Sequence, residues 1–150
     1  MITNDEQRAI TKREAEKFRN ALDAAVAKSA DEADPEERAW LGIFADAFQS
    51  QLADLEEDLA EYEALRTGEA VVVPLESVAQ LPAVLIKARI ASGLSERQLA
   101  TRLGVEESVV LRAEATGYDA ASLGLMRDVA RALGVELRGE ATIPGDRAAD

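Results

Sequence analysis

The chain has 150 residues with 17 basic and 29 acidic side chains, a net charge of −12, and is 47% hydrophobic, enough to bury a core in one or two small domains. Neither histidine nor cysteine occurs, which excludes disulfides, thiolate or imidazole metal sites, cysteine nucleophiles and any triad built on an imidazole base. The first turns of the chain are dense in charge and nowhere do about 18 apolar residues run together, so a cytoplasmic protein with no membrane span is expected.

Aromatic residues are scarce at 4% while Ala, Leu, Glu and Arg dominate, the composition of an all-α protein. The acidic excess is local. Residues 31–80 hold 14 acids and 2 bases, whereas residues 81–138 hold 7 acids and 8 bases, so two modules of different surface chemistry are implied. The predicted organisation is a helical hairpin with an acidic coiled-coil arm at 1–68, a linker at 69–80, a second helical domain at 81–138 and a flexible tail at 139–150.

Thr11 and Glu14 have the spacing of a capping box, which predicts a helix from about 12 to 29, with Thr3 and Asn4 as earlier alternative starts. Phe18, Leu22, Ala25 and Val26 form its apolar stripe. Ser29 to Asp34 reads as a turn, and Asp34-Pro35-Glu36-Glu37 starts a second helix: Asp at the cap, Pro at the first position, carboxylates at the positive end of the dipole. Leu41, Ala45, Phe48, Leu52, Leu55, Leu59 and Tyr62 then alternate steps of four and three until Arg66 breaks the seam and Thr67-Gly68 ends the helix. At ~1.5 Å per residue the second helix, 35–66, is about 48 Å long against about 27 Å for the first. Leu55, Leu59, Tyr62 and Leu65 would then need cover from the other module or a second subunit, so a homodimer is expected. Trp40 and Phe44 are expected in the hairpin core; exposed, they would anchor a partner. The acidic row Asp31, Glu32, Asp34, Glu36 and Glu37 lacks the spacing of a calcium loop and reads as a solvated helix start. Asp54, Glu56, Glu57, Asp58, Glu61 and Glu63 read as a wet helix face, or as a dock for a basic partner such as a toxin.

Val71 to Leu75 reads as a linker with possible strand character. Four or five short helices follow: Ser77 to about Ser92 with a Ser77/Gln80 capping box and a possible split at Pro82, Ser95 to Leu103 with a Ser95/Gln98 box, about Glu106 to Thr116, and Ser122 to Leu133 ending at Gly134. Val135 to Leu137 could form a strand, and the tail from Gly139, with Pro144 and Gly145, reads as unstructured. Leu85, Ile90, Leu94, Leu99, Leu103, Val110, Val129 and Leu133 are the expected core. Leu103-Gly104-Val105 between two short helices, with the small Ala100 beneath, is the anatomy of a helix-turn-helix.

The run from Ile86 through Ser95-Glu96-Arg97-Gln98-Leu99-Ala100 and Leu103-Gly104-Val105 to Arg112-Ala113-Glu114, and on through Ser122 to Leu133, resembles the Cro/repressor-type (XRE-like) helix-turn-helix family. The resemblance implies a λ-repressor-like five-helix domain whose third helix, about 106–115, enters the major groove of double-stranded DNA. It implies that Glu106, Glu107, Ser108, Leu111 and Arg112 face the groove, that Arg97, Gln98 and Arg102 lie near the phosphates, and that Arg89 and Glu114 form a structural ion pair. Val109 would touch a thymine methyl or pack inward. Family members are bacterial and phage repressors and the antitoxins of toxin–antitoxin operons. Two departures stand out: Ser95 is followed by Glu96 where the family commonly has Gln, and the reading helix opens on Glu106-Glu107. The function expected is a dimeric DNA-binding regulator of a palindromic operator, an antitoxin controlling its own operon being the specific form. The alternative is an interaction module whose acidic arm neutralises a basic partner, with weak or no DNA binding. No glycine-rich phosphate loop or histidine base is present, so neither catalysis nor a cofactor nor a metal is expected.

Overall fold

Asn4 begins the first helix by accepting the Gln7 amide on its side-chain oxygen at 3.0 Å, while the Gln7 side chain accepts the Thr3 amide at 2.9 Å. In this computed structural model, which describes residues 1–69, 72–140 and 142–143, α1 therefore runs Asp5–Asp31, taking the earlier start at Asn4 rather than the one near 12. Asp5 and Glu6 sit in its first turn, where carboxylates favour the dipole. Asp34 accepts the Glu36 amide at 2.8 Å and Pro35 needs no partner, so α2 begins where the sequence places it and runs Pro35–Leu65.

The two helices pack along their length as a hairpin. Small Ala15 and Ala25 on α1 lie buried, as do Leu52, Tyr62 and Leu65 on α2, and the Phe18 and Phe48 rings meet at 6.2 Å between centroids. The longer α1 changes the account of the far end. Its 27 residues against 31 in α2 leave little mismatch, and the Tyr62 hydroxyl donates to Asp5 at 3.2 Å. Arg66 pairs with Asp5 at 2.9 Å, the terminal amine with Asp58 at 2.9 Å, Arg8 with Glu63 and Arg19 with Glu56. Such exposed pairs contribute little each to stability, but together they hold the register of a hairpin whose first turns carry few apolar residues. The length argument for a second subunit over Tyr62 and Leu65 is thereby removed.

At the turn end the expectation fails in the other direction. Trp40 and Phe44, expected in the hairpin core, are exposed, and so is Val26 of the expected stripe. The row that meets α1 runs through Leu41, Ala45 and Phe48, and residues one position before each point about 100° away around the helix, out of the contact.

The chain divides into two compact units, one holding the hairpin together with Ile90–Ser95, the other the segment from Val72 to Arg89 and that from Glu96 onward. In the second, Ser77 and Gln80 form the expected reciprocal capping box over a short 3-10 turn, Val78–Gln80, which passes into α3, Leu81–Ala91. Pro82 stands at the second position of α3, where a missing amide costs no hydrogen bond, and the split there follows. Next come α4 (Glu96–Leu103), α5 (Glu107–Ala115) and α6 (Leu123–Leu133), with α4 packed on both α5 and α6. Leu85, Leu99, Val110 and Val129 are fully buried; Leu94, Leu103 and Leu133 are half-buried. Ser122 caps α6 through the Leu125 amide at 3.1 Å, and Gly134 closes it at φ +68°, the left-handed conformation glycine adopts without penalty.

The fold is all-α, with no strand among the described residues. The strand considered at Val135 to Leu137 does not form, because the Val135 amide is taken by the Ala130 carbonyl at 2.9 Å as part of the α6 cap. Leu75 and its described neighbours are likewise irregular; Val71 and most of the tail, with Pro144 and Gly145, lie outside the described residues. No helix among the described residues is long and apolar enough to cross a membrane.

Candidate nucleic-acid interface

The turn between α4 and α5 is set by one residue. Gly104 takes φ +68°, its amide reaches the Thr101 carbonyl at 3.2 Å, and the Val105 amide reaches the Ala100 carbonyl at 3.1 Å. This double closure satisfies the last carbonyls of α4 and sends the chain directly into α5. Ala100 is buried beneath the turn, where its single methyl permits the close approach of α5. On α5 itself Val110 and Ala113 are buried, whereas Glu107, Ser108, Val109, Leu111 and Arg112 are exposed. Val109 thus faces outward, and the packing alternative for it is set aside.

All eight residues singled out from the sequence are exposed. Arg97, Gln98 and Arg102 are exposed on α4, Glu106 is exposed at the cap of α5, and Glu107, Ser108, Leu111 and Arg112 follow on α5. The Glu106 side chain makes no cap hydrogen bond, so its carboxylate stands in solvent. Arg97 Nε lies 3.9 Å from Glu107 Oε2, which partly neutralises a cation at the entry to α5. Arg102 and Arg112 make no ion pair among the described residues, and no group of carboxylates there could hold a metal ion.

What fixes α5 on its support is a buried charge cluster. Arg89 on α3 is 2% exposed; its Nε and Nη2 donate to the two carboxylate oxygens of Glu114, each at 2.6 Å, and Nη2 also donates to Glu96 at 3.3 Å. The two-pronged geometry matches the guanidinium fork to the carboxylate. Burial opposes the Arg89 charge, but the hydrogen bonds and charge of Glu114 together with the charge of Glu96 outweigh it, and the guanidinium is held above its ordinary value. The expected Arg89–Glu114 pair is present. Glu96, which read as a departure near the phosphates, faces Arg89 instead; its spacing of seven from Arg89, two helical turns interrupted by Gly93, gave no signal of that.

Tyr118 completes the cluster and is the residue the sequence reading missed. It sits in the left-handed region at φ +59°, is buried, and its hydroxyl has no hydrogen-bond partner among the described residues. Burial pushes the phenol up to about 12, with the Glu114 charge adding to the rise and Arg89 opposing it. Below pH ~10 the phenol is neutral in both folded and unfolded chains; between ~10 and ~12 only the unfolded chain ionises, so stability falls as pH rises through that window. In a Tyr62→Phe background, leaving one tyrosine, absorbance titration of phenolate should give a midpoint near 12; an ordinary midpoint near 10 would place Tyr118 in water.

A helix delivered by a glycine turn with its outer face left open is what the major groove of DNA accepts, and this unit is a helix-turn-helix of the Cro/repressor type. Residues 85–139 match the family described as Helix-turn-helix, and this segment belongs to it. No curated protein and no solved structure matches the chain.

Proposed function

We propose that this chain is a cytoplasmic transcriptional regulator that binds double-stranded DNA through α5 as a homodimer, and that it serves as an antitoxin whose acidic helical arm takes a basic toxin. The observation that carries the DNA reading is the division of α5: Val110 and Ala113 turned into the core, Ser108, Leu111 and Arg112 turned out, behind a turn that only a left-handed residue completes. Arg112 and Ser108 would reach base edges, Leu111 and Val109 the methyl groups of thymine, and Glu106 and Glu107 the amino group of cytosine. Arg97, Gln98 and Arg102 would meet phosphates across the front of α4. In a dimer the two reading helices would engage half-sites about 34 Å apart.

The test is fluorescence anisotropy on a duplex taken from the chain's own upstream region, at one stated salt concentration. Arg112→Ala should weaken specific binding by about 10- to 100-fold, the loss of one base-reading side chain at ~1–3 kcal/mol, with little change on a scrambled duplex. Equal binding by the variant would remove α5 from the role of reading helix.

A second reading, an arm that works chiefly by capturing a protein, is favoured by the charge. With Arg89 sealed in its pair and Arg97 beside Glu107, the helix-turn-helix face offers few cations for phosphate, while residues 31–80 carry 14 acids and 2 bases. Both activities fit one chain when the partner-binding arm and the DNA-reading domain are separate units.

A further inference from the structure

The turn end of the hairpin exposes what a soluble helix pair ordinarily hides: Val26 is 53% exposed, Trp40 63%, Ile43 58% and Phe44 52%. On α2 the last three stand at positions i, i+3 and i+4, one face of the helix. Phe44 stacks on Phe48, 6.5 Å between centroids, so its exposed ring continues a packed aromatic row rather than hanging free.

The surroundings decide what such a surface accepts. Between Asp23 and Asp46 the chain holds seven acids and only two bases, Lys28 and Arg38. Arg38 is folded onto the turn, its guanidinium donating twice to the Glu32 carbonyl, and the charge of Lys28 acts on the Glu32 carboxylate. Asp31, Asp34, Glu36 and Glu37 are exposed around the turn. A second copy of the hairpin tip would bring the same negative ring against itself, and an anionic lipid surface would meet the same repulsion. A partner with lysines and arginines flanking an apolar stripe meets attraction on the rim and burial at the centre.

We infer that Trp40, Ile43 and Phe44 on α2, with the carboxylates of the turn beside them, form a docking site for a cationic amphipathic helix of another protein. The inference rests on the reading of the arm as a basic-partner site and gives that reading an address, at the turn of the hairpin rather than along the acidic face of 54–63.

Trp40 is the sole tryptophan, so its emission reports on this site alone. The full-length chain is titrated with a synthetic amphipathic peptide of about 18 leucines and lysines, and in parallel with its leucine–glutamate counterpart. The lysine peptide should shift Trp40 emission to the blue with saturation, the glutamate peptide should not, and the binding should weaken with salt. Ile43→Ser with Phe44→Ser should weaken the lysine peptide by at least about tenfold; both residues are exposed, and unchanged helical circular dichroism verifies the fold. Glu36→Gln with Glu37→Gln should weaken it less and flatten the salt dependence. No shift with the lysine peptide, an equal shift with the glutamate peptide, or full binding by the serine variant overturns the proposal. So does a blue shift that grows with protein concentration alone together with a doubled mass, which would make a second copy the occupant. Arg112→Ala should leave peptide binding intact, so failure of the DNA reading is seen separately. Peptide binding without capture of the neighbouring gene's product would support the site while removing the toxin.

Discussion

Replacing Arg89 by leucine should destabilise the helix-turn-helix unit by about 3–5 kcal/mol, read as lost hydrogen-exchange protection across α3 to α6 at neutral pH. The loss comes less from the attraction given up than from what is left behind. Glu114, whose side chain is 6% exposed, would remain a buried carboxylate with neither of its two 2.6 Å hydrogen bonds. The double replacement Arg89→Leu with Glu114→Leu removes the two most buried charges, leaving Glu96 at 14% exposure, and should recover most of the stability, since a buried pair replaced by apolar groups is often neutral. Acid should rescue the single variant as well. Burial already raises the Glu114 carboxyl above its ordinary value despite the opposing hydrogen bonds and charge of Arg89, and deleting Arg89 removes that opposition. A carboxyl raised in the folded state destabilises above its folded value; the deficit shrinks as pH falls through that value and is gone near the unfolded value of about 4.5. A loss under about 1 kcal/mol, or one that does not shrink in acid, would mean that Glu114 reaches water in the variant.

The parts of the fold legible in the sequence are those fixed by neighbours in the chain. Asp34-Pro35, Ser77 with Gln80, Ser122 and Gly134 each satisfy backbone groups within four residues, and each cap stands where its residues placed it. The start of α1 was harder to read because its early residues are mostly charged and give no apolar period; they are held by Arg66, Glu63 and Asp58 at the other end of the hairpin. Trp40 and Phe44 show the limit of periodicity from the other side, since an aromatic residue one position off the seam cannot be told from one in it without the partner helix. At the site, the burial of Ala113 is the structure's addition, while the outward face of α5, with Val110 expected in the core, followed from the resemblance to the Cro/repressor-type family. Glu96 and Tyr118 did not, because their roles depend on the buried Arg89, seven and twenty-nine residues away in the chain.

Replacing Glu107 by lysine should raise affinity for a scrambled DNA duplex and steepen its salt dependence, with the fold intact. The pair it forms with Arg97 is exposed, at 45% and 81% for the two side chains, and spans 3.9 Å, so its removal costs stability little. Its electrostatic effect is larger, for two reasons that add. The substitution places a cation in the first turn of the reading helix, and it releases Arg97 toward the phosphates that α4 crosses. Each phosphate contact contributes about −0.9 to the slope of log affinity against log salt, so two added contacts should change the slope by about −1.8. Between 50 and 200 mM salt, a slope change of that size is worth about tenfold in affinity. Glu107→Gln, which releases Arg97 without adding a cation, should give about half the change. The two variants therefore measure separately what Arg97 and position 107 can reach, by anisotropy on one duplex across a salt series. If neither variant alters the slope, the α4–α5 face does not approach a nucleic-acid backbone. A shift with lysine but none with glutamine would put position 107 at the backbone and leave Arg97 away from it.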